Sequence, residues 1–191
     1  MPDATVSTAT IPTFDREKPS LLVQLAGLYS ELGDKARAAE LLSEVRRGVV
    51  KIDAEPLADV EFYEHDYRLQ DYLPREKMLA EAAVGLGELR RWADAEQAVA
   101  QIADARYRVM TLVKLSGFRA KAGESEAGRR TLDEAAALAE KIDDPLRRIE
   151  ALVNVAKGHV ALKSSPQLIE QRLQVVEKLR NNGGKVAVNM E

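Results

Sequence analysis

The sequence contains no cysteine, and this absence alone excludes several kinds of protein. Without thiols there is no disulfide framework, no thiolate zinc site and no cysteine nucleophile, and cysteine usage gives no clue to the redox compartment. Aromatic residues make up only 5% of the chain. No apolar run approaches the roughly 20 residues that a transmembrane helix needs, and the N-terminal residues lack the pattern of a secretory signal. We therefore expect a cytoplasmic protein that has no membrane partner.

An excess of positive charge is also missing. The 28 basic residues are outnumbered by 31 acidic ones, which gives a net charge of -3. Paired arginines recur along the chain and could form a basic ridge for phosphate or nucleic acid; they are residues 46–47, 90–91, 129–130 and 147–148. Solvated helix faces with ion pairs explain them better in an acidic chain, so we predict no nucleic-acid partner.

No arrangement typical of an enzyme is present. The stretch GLGELRRW, residues 85–92, is the nearest approach to a glycine-rich phosphate loop, and it lacks the Lys-Ser/Thr ending. There is no Gly-x-Ser-x-Gly motif either. The sequence therefore predicts a non-enzymatic protein without a cofactor.

What the sequence does contain is a nine-residue phrase that occurs four times. The copies span residues 18–26, 75–83, 108–116 and 148–156. Each begins with a cation, has leucine four residues later and ends in a small residue. A second small residue follows twelve positions later in three copies (Ala38, Ala95 and Gly128), whereas the fourth has Leu168 there. Small residues at this spacing predict pairs of helices that pack closely.

Turn and cap signals divide the chain around these phrases. Residues 1–17 read as a flexible tail, and Pro19 suits the first turn of the first helix. Breaks are expected at Gly33 and Gly123, with a less distinct one near residues 88–92. Residues 53–73 read as an insertion that carries a short helix over residues 56–69, and residues 183–191 as a second flexible tail. Aspartates precede three phrases by four residues and predict helix caps or ion pairs: Asp71, Asp104 and Asp144.

This pattern resembles the tetratricopeptide repeat. The first copy has Ala26, Tyr29, Gly33 and Ala38 at the spacing of that family's signature, and the later copies match less completely. Arg119 and His159 replace the aromatic residue found at Tyr29, and we expect His159 to serve in packing. The resemblance covers about residues 18–182. It implies an all-α protein: a right-handed solenoid of about four antiparallel helical hairpins, with the insertion after the first.

The resemblance also implies a binding groove lined by the first helix of each hairpin. The positions that would face a ligand are Val23, Gly27, Lys77, Ala80, Val84, Met110, Val113, Gly117, Lys121, Val153 and Lys157. This lining is mostly small and apolar, which favours an apolar helix or extended segment of a protein or peptide partner. The cations are scattered, so we do not expect the clamp with which some family members hold a peptide carboxylate. Filling of the groove by the chain's own tail or insertion is the competing interpretation.

Two further hypotheses stay open. The insertion holds aromatic and acidic residues over 56–72, where Glu61 and His65 lie one helical turn apart, so a small-molecule or metal site there is an alternative function. The exposed ends of a stack of repeats also need capping. The last helix, with its apolar stripe and its charges, could serve as a cap, and homodimerisation is the other solution.

Overall fold

The computed structural model describes residues 13–49 and 74–186. Within these ranges every regular element is a helix, which confirms the predicted all-α class. The eight helices are α1 (Thr13–Glu31), α2 (Lys35–Val49), α3 (Pro74–Glu88), α4 (Trp92–Ala100), α5 (Ala105–Lys121), α6 (Ser125–Ala139), α7 (Pro145–Ala161) and α8 (Pro166–Val186). None of these described helices has the length and apolarity to cross a membrane.

The first and last helices are longer than expected. Helix α1 begins at Thr13, so Pro19 lies inside it instead of in its first turn. Helix α8 continues to Val186, through the Asn-Asn-Gly-Gly stretch where we expected it to end. The helix predicted over residues 56–69 lies outside the described residues.

The helices pack in successive pairs: α1 with α2, α3 with α4, α5 with α6 and α7 with α8. The first helices of the pairs also contact one another in chain order, α1 with α3, α3 with α5 and α5 with α7. The small residues that end the four phrases are all buried, namely Ala26, Ala83, Ser116 and Ala156. Each phrase therefore lies on the first helix of its pair, with its last residue in the core.

The same turn ends the first helix of every pair. It contains a residue with positive φ: Gly33 at 87°, Arg90 at 60°, Gly123 at 87° and Lys163 at 50°. The following residue donates its N–H to the carbonyl five positions earlier, in the pairs Asp34–Tyr29, Arg91–Leu86, Glu124–Arg119 and Ser164–His159, over 2.8–3.0 Å. This is the hydrogen bond of a left-handed helix C-cap. The less distinct break predicted at residues 88–92 is thus a turn of the same kind, with arginine in the place of glycine.

Close approach of the two helices is clearest in the third pair. A Cβ atom added to Gly128 would lie 2.8 Å from the backbone oxygen of Ser116, so only glycine fits there. The fourth copy departs because its turn is one residue longer. The hydroxyl of Ser165 accepts a hydrogen bond from the N–H of Leu168 at 3.3 Å, and α8 begins at Pro166, three residues after Lys163. In the other copies the second helix begins two residues after the positive-φ residue, so Leu168 is not the counterpart of Ala38.

Aspartates cap two of the helices at the predicted positions, and Asp34 also caps α2 by accepting a hydrogen bond from the N–H of Arg37 at 3.0 Å. The carboxylate of Asp104 accepts hydrogen bonds from the N–H groups of Arg106 and Tyr107, and that of Asp144 from the N–H of Arg147. The hydrogen bond from the Arg147 N–H lowers the pKa of Asp144 below its usual value. Asp71 lies outside the described residues.

Candidate functional site

Two neighbouring depressions lie on the face formed by α3, α5 and α7. The larger, of about 280 Å³, lies between α3 and α5. Its lining is Lys77, Ala80, Glu81, Val84, Tyr107, Met110, Thr111 and Lys114. Four residues of the predicted groove therefore meet here, three on α3 and Met110 on α5.

The second depression, of about 230 Å³, lies between α5 and α7. Its lining is Arg106, Tyr107, Met110, Arg147, Glu150, Ala151 and Asn154. Tyr107 and Met110 line both depressions and so form the ridge between them. Met110 is 47% exposed although it is a large apolar residue. An apolar ridge with a hollow on either side could contact two side chains of one extended or helical segment.

The other predicted groove residues line neither depression. Val23 and Val113 are partly buried and pack against the core, and Val153 is also partly buried. Gly27, Lys121 and Lys157 are exposed, and the Lys121 ammonium lies 5.6 Å from the ring centroid of Phe118. Gly117 is partly exposed, and a Cβ atom added there would meet nothing within 4 Å.

Sequence reasoning missed Tyr107, Arg106 and Arg147 as lining residues. They lie immediately before the cation that opens the third and fourth phrases, on the first turn of α5 and α7. Extending the pattern by one helical turn towards the N-terminus would have included them. The lining implied by the resemblance therefore began one helical turn too late on α5 and α7, whereas on α3 it began at Lys77, as observed.

Charged side chains of both signs surround the two depressions. Lys77 and Lys114 accompany Glu81 in the first, and Lys77 lies 3.8 Å from that carboxylate. Arg106 and Arg147 accompany Glu150 in the second. Two further carboxylates lie beside these cations: Asp104 pairs with Arg106 at 3.3 Å, and Asp144 interacts electrostatically with Arg147 and Arg106, so carboxylates match the cations here.

A buried carboxylate fixes the start of α5, and with it the ridge. Glu76 on α3 is only 2% exposed. It accepts hydrogen bonds from the backbone N–H groups of Ala103 at 2.7 Å and Asp104 at 3.3 Å. Asp104 in turn caps α5 through the N–H groups of Arg106 and Tyr107, at 2.9 and 3.0 Å. One chain of contacts thus runs from α3 to the first turn of α5.

A second polar cluster joins the second and third pairs away from these depressions. The indole N–H of Trp92 donates to the Glu124 carboxylate at 3.0 Å, and the guanidinium of Arg119 lies 5.0 Å from the Trp92 ring centroid. Arg119 also forms ion pairs with Glu96 and Glu124. The cluster places cation, ring and carboxylates between α4, α5 and α6, and so stabilises one relative position of the two pairs.

His159 is fully buried, as expected for a packing residue. Its Nδ1 lies 3.1 Å from the hydroxyl of Ser164, and burial lowers the pKa of the imidazole. With no solvent-exposed surface, this histidine cannot reach a substrate. No group of three metal-binding side chains occurs in residues 13–49 and 74–186. The metal or small-molecule site suggested for residues 56–72 falls outside that part of the chain.

Comparison with protein-family models, with curated proteins and with solved structures finds no match to this chain.

Proposed function

We propose that the chain is a tetratricopeptide-like interaction module: a right-handed solenoid of four antiparallel helical hairpins without enzymatic activity. The support is that the same number of residues separates the opening cation from the turn in all four copies. In each, the positive-φ residue follows the opening cation by fifteen positions, from Lys18 to Gly33 and from Arg75 to Arg90, and likewise in the third and fourth. Contacts of each first helix with the next are what stacking of repeats requires.

The proposed function is to bind a peptide or an exposed protein segment across α3, α5 and α7. The observation that carries it is the ridge of Tyr107 and Met110, with a depression on each side. The two hollows share a wall, so one ligand of a few residues can occupy both. Solvent exposure of Met110 has an unfavourable free energy that a bound apolar side chain would remove.

The partner chemistry follows from the lining. The apolar ridge favours an apolar anchor residue, and the charged groups of both signs around it favour polar residues beside that anchor. We therefore propose a segment with one or two apolar side chains and polar or charged flanking residues. Such a segment needs no free C-terminal carboxylate.

A peptide library tests this proposal even though the partner is unidentified. Random peptides displayed on phage are selected on the purified chain, and enriched sequences are synthesised and titrated by calorimetry. We expect enrichment of sequences with one or two apolar residues among polar or charged neighbours. Met110→Glu should weaken binding by at least about tenfold, since it puts a carboxylate on the ridge.

The matched control is Leu173→Glu. Leu173 on α8 is 46% exposed, almost equal to Met110, but it lines neither depression. Peptides that bind equally to the Met110→Glu variant and to the parent chain would show that the site is elsewhere. Failure to enrich any sequence would count against peptide binding itself.

A further inference from the structure

Helix α1 carries four exposed leucines in a single row. Leu21, Leu25, Leu28 and Leu32 are exposed by 56%, 41%, 57% and 81%. Their spacing of four, three and four residues is that of a coiled-coil seam. At about 100° per residue they fall within a stripe about 60° wide on the helix surface. We call this row the leucine stripe.

In the later copies of the repeat, the equivalent positions are covered by the preceding helix pair. The counterparts of Leu21 and Leu25 are all buried: Met78 and Ala82, Thr111 and Leu115, Ala151 and Val155. The counterparts of Leu28 include Gly85 and Gly158. A Cβ atom there would lie 2.8 Å from the Leu42 side chain on α2, or 2.6 Å from that of Leu132 on α6. The leucine stripe is therefore a pair-to-pair packing surface that has no helix pair of the described structure against it.

The other end of the chain does not offer a matching surface. Over residues 167–181, helix α8 exposes one large apolar side chain, Leu173, among charged and amide side chains that include Glu170, Gln171, Gln174, Glu177, Lys178 and Arg180. Packing the leucine stripe of one molecule against α8 of the next would bury these polar groups without partners. Head-to-tail stacking is thus disfavoured, as is the open filament to which it leads.

The leucine stripe is instead complementary to itself. When two α1 helices lie antiparallel about a two-fold axis, Leu21 faces Leu32 of the second copy and Leu25 faces its Leu28. Each of the four leucines therefore faces a leucine of the second copy. Parallel pairing would instead bring Lys18, seven residues before Leu25 and ion-paired with Glu44 at 3.0 Å, against its own copy, so that charged groups would enter the row of leucines. Per molecule, the stripe exposes the equivalent of more than two whole leucines, enough for the apolar centre of an interface.

We propose that this protein forms a two-fold homodimer through antiparallel pairing of the leucine stripes of α1. The interface closes the exposed end of the stack and leaves the face of α3, α5 and α7 open. It is independent of the proposed peptide site, so either can fail alone.

Sedimentation equilibrium over a wide range of concentrations tests the dimer. The parent chain should be dimeric at high concentration, and Leu21→Glu/Leu28→Glu should weaken dimerisation by at least about a hundredfold. Both substituted positions are exposed and glutamate favours helix, so each monomer should keep the parent's circular dichroism. Leu146→Glu, at a 77% exposed leucine on α7, is the matched control and should leave the dimer intact. A parent chain that stays monomeric, that forms larger oligomers, or whose dimer survives the double substitution overturns the proposal.

Cysteine cross-linking tests the direction, since the chain has no cysteine of its own. Mixing a Leu21→Cys chain with a Leu32→Cys chain should give a mixed disulfide under mild oxidation. Leu21→Cys alone should give none, because the two copies of residue 21 would lie about 16 Å apart along the helices. A disulfide formed by Leu21→Cys alone would show parallel pairing and refute the proposed interface.

Discussion

The carboxylate of Glu76 accepts a 2.7 Å hydrogen bond from the backbone N–H of Ala103, twenty-seven residues further along the chain. It fixes the segment between α4 and α5 to the first turn of α3. The corresponding residues of the other copies are Pro19, Val109 and Ile149, none of which carries an acceptor in its side chain. The polar residue is tolerated at a buried position because backbone donors meet it there.

Removal of that carboxylate should destabilise the second and third pairs. We expect Glu76→Ala to lower the free energy of unfolding by about 2 kcal/mol, since it leaves the Ala103 and Asp104 N–H groups without their acceptor. Glu76→Gln keeps one acceptor oxygen and should cost about half as much. Urea denaturation followed by circular dichroism measures both. Equal losses in the two variants would mean that side-chain volume, not hydrogen bonding, is responsible.

Substitutions at two glycines of the third pair should have opposite effects. Gly128→Ala should destabilise the protein by about 1–3 kcal/mol, because the new methyl group would lie 2.8 Å from the Ser116 carbonyl oxygen. Gly117→Ala should stabilise it by up to about 1 kcal/mol, because that site on α5 is open and alanine favours helix. The melting temperatures of the two variants, each compared with that of the parent, test both expectations. Stabilisation by Gly128→Ala would show that α5 and α6 are not in close contact at this point.

The left-handed turn residues offer a third prediction. Arg90 and Lys163 adopt positive φ without being glycine, which costs roughly 1 kcal/mol each. Arg90→Gly should therefore stabilise the protein, by up to about 1 kcal/mol after the greater flexibility of glycine in the unfolded chain is subtracted. Arg90→Ala is the control, since it removes the same side chain without relieving the backbone. If both variants change the melting temperature equally, the arginine side chain and not its φ is what matters.

The all-α class could be predicted because its signals are local. Leucine at the fifth position and a small residue at the ninth recur in every copy, and the buried face follows from helical spacing alone. The turn at Arg90 could not be located well, since the packing of the flanking helices imposes a conformation for which arginine gives no signal. The role of Glu76 as a buried hydrogen-bond acceptor was not predicted for a related reason: its partners are backbone groups far along the chain.

The candidate site could be predicted only in part. Lys77, Ala80, Val84 and Met110 meet in one depression because successive first helices lie side by side. Val113 and Val153 have the same position in the repeated phrase as Ala80, yet they line neither depression. Tyr107 was not foreseen, although it lies one helical turn before residues that were. The depth of a depression on such a face depends on the sizes of the neighbouring side chains, and the spacing of residues along the chain does not predict it.

The buried imidazole of His159 should make stability depend on pH. The Nδ1 atom lies 3.1 Å from the Ser164 hydroxyl, and among the described residues Nε2 has no hydrogen-bond partner. The charged groups that act on the pKa of His159 are Asp133 on α6 and Arg172 on α8, which pair with each other at 3.2 Å. Burial is the main cause that lowers the pKa of His159, so the folded protein keeps this ring neutral where an unfolded histidine would take up a proton.

The direction in which stability changes with pH follows from proton linkage. As pH falls below the unfolded pKa of about 6.5, the unfolded state binds a proton that the folded state does not, so stability decreases. The loss continues until pH reaches the lowered folded pKa, with a slope of at most about 1.4 kcal/mol per pH unit. His159→Gln keeps a hydrogen-bonding side chain but cannot titrate. We therefore expect urea unfolding between pH 7.5 and pH 5, a range of about one unit or more either side of the unfolded pKa, to show a flatter profile for His159→Gln than for the parent. Since His65 is present in both proteins, its contribution cancels in the difference, and parallel profiles would rule out a neutral buried His159.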